Sequence, residues 1–197
     1  MSLSKIQWKP GNMLYPLPAV LISCGDNEES YNMITISWAG TICTNPPMVS
    51  ISIKPSRHSY ETIMRTKEFV INLTTESMVW AVDYCGVKSG RDVNKFAETK
   101  LNTCKGSVVS APLILESPVN IECRVVEIKS LGSHDLFIAE VVAVHVDDAY
   151  MDQNEKFHLN QSNPLCYSHG HYFGLGKSLG SFGYSVKKKG SKKKGKN

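Results

Sequence analysis

Apolar and polar side chains alternate along much of this chain, and a period of two marks strands whose two faces meet different surroundings. Ala19 to Cys24, Met33 to Trp38, Met48 to Ile53 and Phe69 to Leu73 read as strands on that basis. In the second of these, Thr35 and Ser37 point one way and Ile34 and Ile36 the other. Val119 to Ile128 alternates until Val125 and Val126, where the phase slips by one residue. A slip inside a long strand predicts a β-bulge, which bends the strand as a barrel wall requires. Asp135 to Val146 predicts a second long strand, with Gly132-Ser133 as the turn of a hairpin between the two. Helical spacing is confined to short stretches. His58 to Thr66 carries Tyr60, Ile63 and Met64, Ser77 to Tyr84 carries Met78, Ala81 and Val82, and Asp92 to Ala97 reads as one turn. The pattern predicts a mainly β, antiparallel barrel with short helical excursions, entered through an irregular arm containing Pro10, Pro16 and Pro18.

Composition narrows the class without changing that picture. With 42% apolar and 20% charged residues among 197, the chain is globular in make-up and long enough for one core. No apolar run approaches the ~20 residues of a membrane-spanning helix. The N-terminus lacks the apolar stretch of a secretory signal, so a cytoplasmic location is expected. The net charge of +4 is unevenly placed, because residues 187–197 hold seven lysines and no acid. The remaining body, 1–186, carries −3 and is read as a single domain, with 187–197 as a disordered tail. An acidic body with little basic–aromatic interleaving argues against nucleic-acid binding. The six cysteines lie at least nineteen residues apart, without a C-x-x-C pair, so neither a zinc site nor a disulfide framework is expected. Most are read as small core hydrophobes; Cys85, between Tyr84 and Gly86, is the one placed near chemistry. His169-x-His171 alone is a weak metal signal.

Several common chemistries leave no trace here. There is no G-x-G-x-x-G after a strand, no Walker loop, no G-x-S-x-G and no H-E-x-x-H. Two segments are more informative. Asn32 to Thr41 places an amide, three hydroxyls and Trp38 on a strand and the turn after it, a wall able to hydrogen-bond the edge of a polar heteroaromatic ring. Read alone, it is equally a half-buried strand with Ser and Thr on its wet face. Ser52 to Tyr60 runs from a strand end into a helix start, with Lys54, Arg57 and serines beside unpaired N–H groups. That composition suits a phosphate monoester. Ordinary capping by Ser56 with two solvated bases explains the same residues.

Together these blocks resemble a known family. N-x-x-T-x-S-W-x-G from Asn32, N-P-P-M-V-S-I-S-I from Asn45, R-x-S-Y-E-x-I from Arg57 and F-V-I-N-L from Phe69 are similar to the flavin-reductase-like family, most closely its flavoredoxin branch. Asp83 to Phe96, Pro118 to Glu127 and Gly132 to Val141 extend the likeness over roughly residues 10 to 185. The resemblance implies an FMN-binding, Greek-key-type split β-barrel working as a homodimer, with flavin at or near the subunit interface. It implies that Asn32, Thr35, Ser37 and Trp38 line the isoalloxazine and that Ser52, Lys54, Arg57 and Ser59 hold the phosphate and ribityl chain. Lys95 and His134 would reach the flavin from other segments, with Tyr167 as an aromatic near the ring. By themselves Lys95 and His134 read as a solvated lysine and a turn histidine. A positive charge near the pyrimidine edge would stabilise the anionic reduced flavin, which gives either a physical role.

Two readings follow from the resemblance. In the first, the chain is an FMN-dependent oxidoreductase passing electrons from a reductant such as NAD(P)H to a protein or small-molecule acceptor. In the second, it is a non-catalytic FMN carrier or electron-transfer module whose flavin never meets a nicotinamide. No catalytic side chain and no metal ligand is expected in either.

Overall fold

The computed structural model describes residues 4–186, and the tail expected at 187–197 lies outside them. In chain order the elements begin with β1 (Leu17–Pro18), β2 (Val20–Cys24), β3 (Asn32–Ile36), β4 (Ala39–Cys43), β5 (Met48–Ile53), α1 (His58–Thr66) and β6 (Glu68–Asn72). A 3₁₀ turn at Glu76–Met78 leads into α2 (Val79–Val87), followed by α3 (Lys95–Thr99), β7 (Thr103–Cys104) and β8 (Leu113–Ile114). The long pair β9 (Val119–Ser130) and β10 (Asp135–Val146) comes next, then β11 (Leu165–Ser168) and β12 (His171–Gly174).

Seven strands form one antiparallel sheet in the order β3-β2-β6-β9-β10-β5-β4. Its opposite edges, β3 and β4, are joined by Ser37 and Trp38 alone. A flat sheet would hold those edges about 29 Å apart at roughly 4.8 Å per strand. Three Cα–Cα steps span at most about 11 Å. The sheet must therefore curl until its edges almost meet, which is the rolled architecture of a split barrel. The Ser52 N–H donates to the Trp38 carbonyl at 2.9 Å, pinning the link against β5.

Curling creates an inside and an outside. Val20, Ile22, Ile34, Ile36, Ile51 and Phe137 fill the interior, while Leu21 and Met33, on the other face, pack with Val82 and Cys85 of α2. Thr35 and Ser37 thus face away from the interior isoleucines, as the alternation predicts. The β9–β10 register shifts between Ile138 and Ala139, where Glu127 and Val125 are the partners and Val126 is the extra residue. The bulge thus sits at the predicted slip. A second shift, between Val141 and Ala143, has no mark in the sequence pattern. Gly132 closes the hairpin with φ of 105°, a conformation that favours glycine.

Some boundaries move. The predicted turn at Asp92 to Ala97 is a helix from Lys95, because Asn94 caps it by accepting from the Ala97 N–H at 3.1 Å. The helix expected from Ser77 begins at Val79 and continues to Val87. Strand β4 was not expected: Ala-Gly-Thr-Ile-Cys on an exposed edge has no alternation to read. The Pro-rich arm is irregular and mostly exposed through Pro16, but its end is regular: Leu17 and Pro18 form β1 and pair with Tyr167 and Cys166 of β11, and Tyr15 packs against His169 and Tyr167.

Cys24, Cys85 and Cys123 are buried, and burial pushes their thiols up to about 12, 11 and 12. Among the described residues no three His, Cys, Asp or Glu side chains gather as a metal site needs, and no helix is long and apolar enough to cross a membrane.

One buried carboxylate ties a loop to the sheet. Glu122 on β9 is fully buried and accepts from the Ser107, Val108 and Val109 N–H groups at 2.7–2.8 Å. The Ser107 hydroxyl at 2.7 Å and the His145 imidazole at 2.5 Å complete the set. A Cβ at Gly106 would lie 2.8 Å from the Glu122 carboxylate and 2.7 Å from the Val109 carbonyl, so the loop wraps this closely only with glycine there.

Candidate functional site

Where the sheet edges meet, the Ser37–Trp38 link, the end of β5 and the β9–β10 turn surround a cavity of about 450 Å³. Thr35, Ser37, Trp38, Ser52, His134 and Tyr167 are in its wall. Trp38 is 40% exposed and its ring lies nearly parallel to the His134 imidazole, with centroids 6.2 Å apart and an angle of 11°. The Thr35 hydroxyl is already committed, donating to the Val82 carbonyl at 2.5 Å. Gly86 follows one turn on, where a Cβ would sit 3.4 Å from that of Thr35, so α2 lies directly behind the strand. Tyr172 donates to Asp83 at 3.1 Å and closes the far side with Tyr167. The result is a mainly aromatic and hydroxyl-bearing slot for a flat polar ring.

A second cavity, of about 440 Å³, adjoins the first through the shared residues Ile34, Lys54 and Arg57. It opens at the start of α1. Arg57 is the N-cap, with no side-chain cap hydrogen bond, so the capping role that Ser56 could have played is not taken. In the first turn the Tyr60 N–H donates to the Arg57 carbonyl at 3.0 Å, while the His58 and Ser59 N–H groups lie at the positive end of the helix dipole, where an anion would be favoured. Lys54 and Arg57 form no ion pair among the described residues. Behind them the Asn32 amide donates to the Ser59 hydroxyl at 2.8 Å, and Ser59 also meets the Cys24 thiol.

Lys95 lines this cationic cavity and not the ring cavity. It is buried, and its ammonium donates to the Met33 carbonyl at 2.9 Å and the Cys85 carbonyl at 2.8 Å. It is therefore neither solvated nor a lone cation: it ties β3 to the C-terminal turn of α2, where carbonyls lack helical partners. Burial, then Arg57, pulls its pKa down. Cys85 takes part through its carbonyl, its thiol being held neutral by burial. Lys95→Met should leave both carbonyls unpaired. Each orphaned buried group costs ~1–3 kcal/mol, offset by relief of the buried charge, so a net loss of about 1–2 kcal/mol is expected in urea unfolding. An unchanged midpoint would show that the ammonium does not hold the two elements together.

All eleven residues drawn from the resemblance line at least one of these two cavities. Thr35, Ser37, Trp38, Ser52, His134 and Tyr167 line the ring cavity, Asn32, Ser59 and Lys95 the cationic one, and Lys54 and Arg57 both. Asn32 thus lines the cationic cavity and Ser52 the aromatic one. His134 is drawn below its usual pKa by burial, then by Lys54 and Arg57, so it is largely neutral at pH 7.

Sequence reasoning passed over His58, Lys88, Gly90 and Arg91, which also line the cationic cavity. The last three stand in the Asp83 to Phe96 block, whose glycine before a basic residue was the available signal. His58 Nδ1 is buried with no partner among the described residues, an orphaned polar atom in the wall of the cationic cavity.

Residues 13–176 match the flavin reductase like domain. An uncharacterized protein of Archaeoglobus fulgidus is 33% identical over 139 residues, 71% of this chain and 77% of its own. Among solved structures, flavoredoxin of Desulfovibrio vulgaris (Miyazaki F) superposes with a TM-score of 0.85 at 26% identity, over 93% of this chain and 100% of that one. Flavoredoxin from Methanosarcina acetivorans superposes with a TM-score of 0.84 at 28% identity and the same coverage.

Proposed function

The chain belongs to the flavin reductase-like family, and we propose that it is an FMN-dependent oxidoreductase passing electrons from NAD(P)H to a protein or small-molecule acceptor in the cytoplasm. The observation that carries this reading is the joining of a cavity lined by aromatic and hydroxyl side chains to a cationic one through Ile34, Lys54 and Arg57. A flat heteroaromatic ring connected by a short chain to a phosphate matches that pair in shape and charge. The uncapped start of α1 and the unpartnered His58 Nδ1 fit a phosphate at the cationic end. The likeness to two flavoredoxins supports the same choice.

FMN supplies the capacity to take up a hydride and release electrons singly or in pairs, so no side-chain nucleophile is needed. The chain's residues orient and tune. Lys54 and Arg57 hold the phosphate, Trp38 and Tyr167 flank the ring, and Ser37 and Ser52 offer hydroxyls to its polar edge. Thr35, fixed by the Val82 carbonyl, sets the distance between β3 and α2. A homodimer is part of the proposal, as the family likeness implies; sedimentation should give the mass of two chains.

Stopped-flow mixing of the FMN-loaded protein with NADH or NADPH tests the catalytic part: loss of the flavin's visible absorption within seconds is expected. Bleaching by neither nucleotide, with ready bleaching by a reduced electron-transfer protein, would favour the carrier reading instead.

His134 gives a finer test. Because its neighbours disfavour the charged imidazole, His134→Gln should change the FMN midpoint potential little at pH 7.5. As the pH falls through the lowered pKa of His134, the wild-type imidazolium forms and favours the reduced anion. The variant's potential should then fall below wild type by ~30 mV, equivalent to ~1.4 kcal/mol for two electrons. Parallel pH profiles would place His134 away from the charge-accumulating edge.

A further inference from the structure

Beneath the N-terminal arm lies a third cavity, of about 560 Å³, which shares Asn12, Trp38 and Ser52 with the ring cavity. That volume is in the range of small-molecule sites. Its floor is the outer face of β4 and β5. Val49, Ile51 and Ile53 belong to the interior, so Ser50 and Ser52 stand on the opposite face of β5. Gly40 pairs with Ser50 and carries that face across to β4. The roof is Met13, Leu14, Tyr15 and Leu17 of the arm. It is fastened at one end, where Leu17 pairs with Tyr167 and the Tyr15 ring lies 4.2 Å from the His169 ring.

The wall specifies its guest. No charged side chain lines this cavity, although Lys54, Arg57 and Asp83 line the ring cavity next to it. A charged guest would lose hydration there without gaining a partner. The Ser50 and Ser52 hydroxyls and the Asn12 amide are donors suited to carbonyl oxygens, and Trp38 offers a flat aromatic surface. Met13 and Leu14, 63% and 84% exposed, stand at the lip, where an apolar molecule would cover them. Gly40 is the telling position. A Cβ there would meet no atom within 4 Å, and its φ is not left-handed, so neither packing nor backbone demands glycine. A strand glycine forgoes side-chain packing and often marks the close approach of a ligand. What Gly40 preserves is open space over the floor.

We propose that this cavity binds a neutral quinone, the small-molecule acceptor of the flavin's electrons. The proposal rests on the flavin reading above and names the acceptor class for it. The shared residues Asn12, Trp38 and Ser52 put the guest beside the ring cavity. In the transfer the quinone takes up two electrons and two protons and becomes the hydroquinone. The electrons and one proton come from the anionic reduced flavin, and the second proton comes from water.

The probe is duroquinone, a neutral quinone with no open ring position to which the six free cysteines could add. Its binding to the oxidised, FMN-loaded protein is measured by equilibrium dialysis. Saturation of flavin reoxidation is then followed after anaerobic reduction with one equivalent of dithionite. Gly40→Leu fills the cavity and Met13→Glu places a charge in its wall. Each should weaken duroquinone binding and raise its saturation constant on the order of tenfold, with FMN affinity and reoxidation by anionic ferricyanide unchanged. The second variant carries the test should Gly40→Leu fail to fold. Equal duroquinone binding in wild type and variants, or no saturable binding to wild type, would overturn the quinone site and leave the flavin reading standing. A Gly40→Leu protein that sediments as one chain while wild type sediments as two would also overturn it, giving the cavity to a second copy. Wild-type protein that takes up no FMN would instead defeat the flavin reading itself.

Discussion

Arg57→Ala should weaken FMN binding roughly ten- to a hundredfold while leaving riboflavin affinity within about twofold. Arg57 lies where the ring cavity meets the cationic one and is the N-cap of a helix whose cap offers no side-chain acceptor. A phosphate there receives the guanidinium together with first-turn N–H groups. Hydrogen bonds to charged partners are worth ~1.5–3 kcal/mol, and an exposed arginine belongs toward the lower end of that range. Riboflavin has the ring and ribityl chain without the phosphate, so it loses nothing when the guanidinium goes. The two ligands together separate a phosphate contact from a general disturbance of the pocket. Equal weakening of both would move Arg57 from the phosphate to the ring.

The second large effect concerns the fold alone. Glu122→Gln should cost about 3 kcal/mol of stability at pH 7, a fall in Tm of about 6–12 °C for a chain of this size. The carboxylate accepts from three N–H groups, a hydroxyl and the His145 imidazole, which holds it down to about 2 although burial alone would raise it. The Gln amide nitrogen would turn a donor toward donors and leave N–H groups unpaired. An acid with a lowered folded pKa contributes stability above its unfolded value, and the contribution drains away as pH falls toward the folded one. The gap between wild type and variant should therefore be full above about pH 5 and narrow toward pH 2. A gap that stays constant across that range would mean the carboxylate's charge is not what holds the loop.

How much of this was legible in the chain depends on whether the cause was local. The Val125–Val126 slip, the Gly132 turn and the limits of β5, α1 and β10 all come from residues adjacent in sequence, and they stand where the pattern put them. Curling of the sheet was implied by the strands but fixed by a tertiary fact: two residues join opposite edges. The site followed the same rule. Ser37, Trp38, Lys54 and Arg57 sit in two short segments whose chemistry could be read directly, though each segment alone also had a plain structural explanation. Lys95 and His134 entered only through the family likeness, because nothing beside them in sequence marks their role. The tie from Lys95 to Met33 and Cys85 spans 62 and 10 residues and leaves no periodic trace. His58 became visible only when the fold brought Gly90 against it.

The central claim is that the two joined cavities hold FMN. Its most direct test is the absorption spectrum of the purified full-length protein, followed by titration of the flavin-free form with FMN. The account predicts a yellow protein that releases FMN on denaturation and, once stripped, takes back one FMN per chain. A colourless protein that rejects added FMN would contradict it.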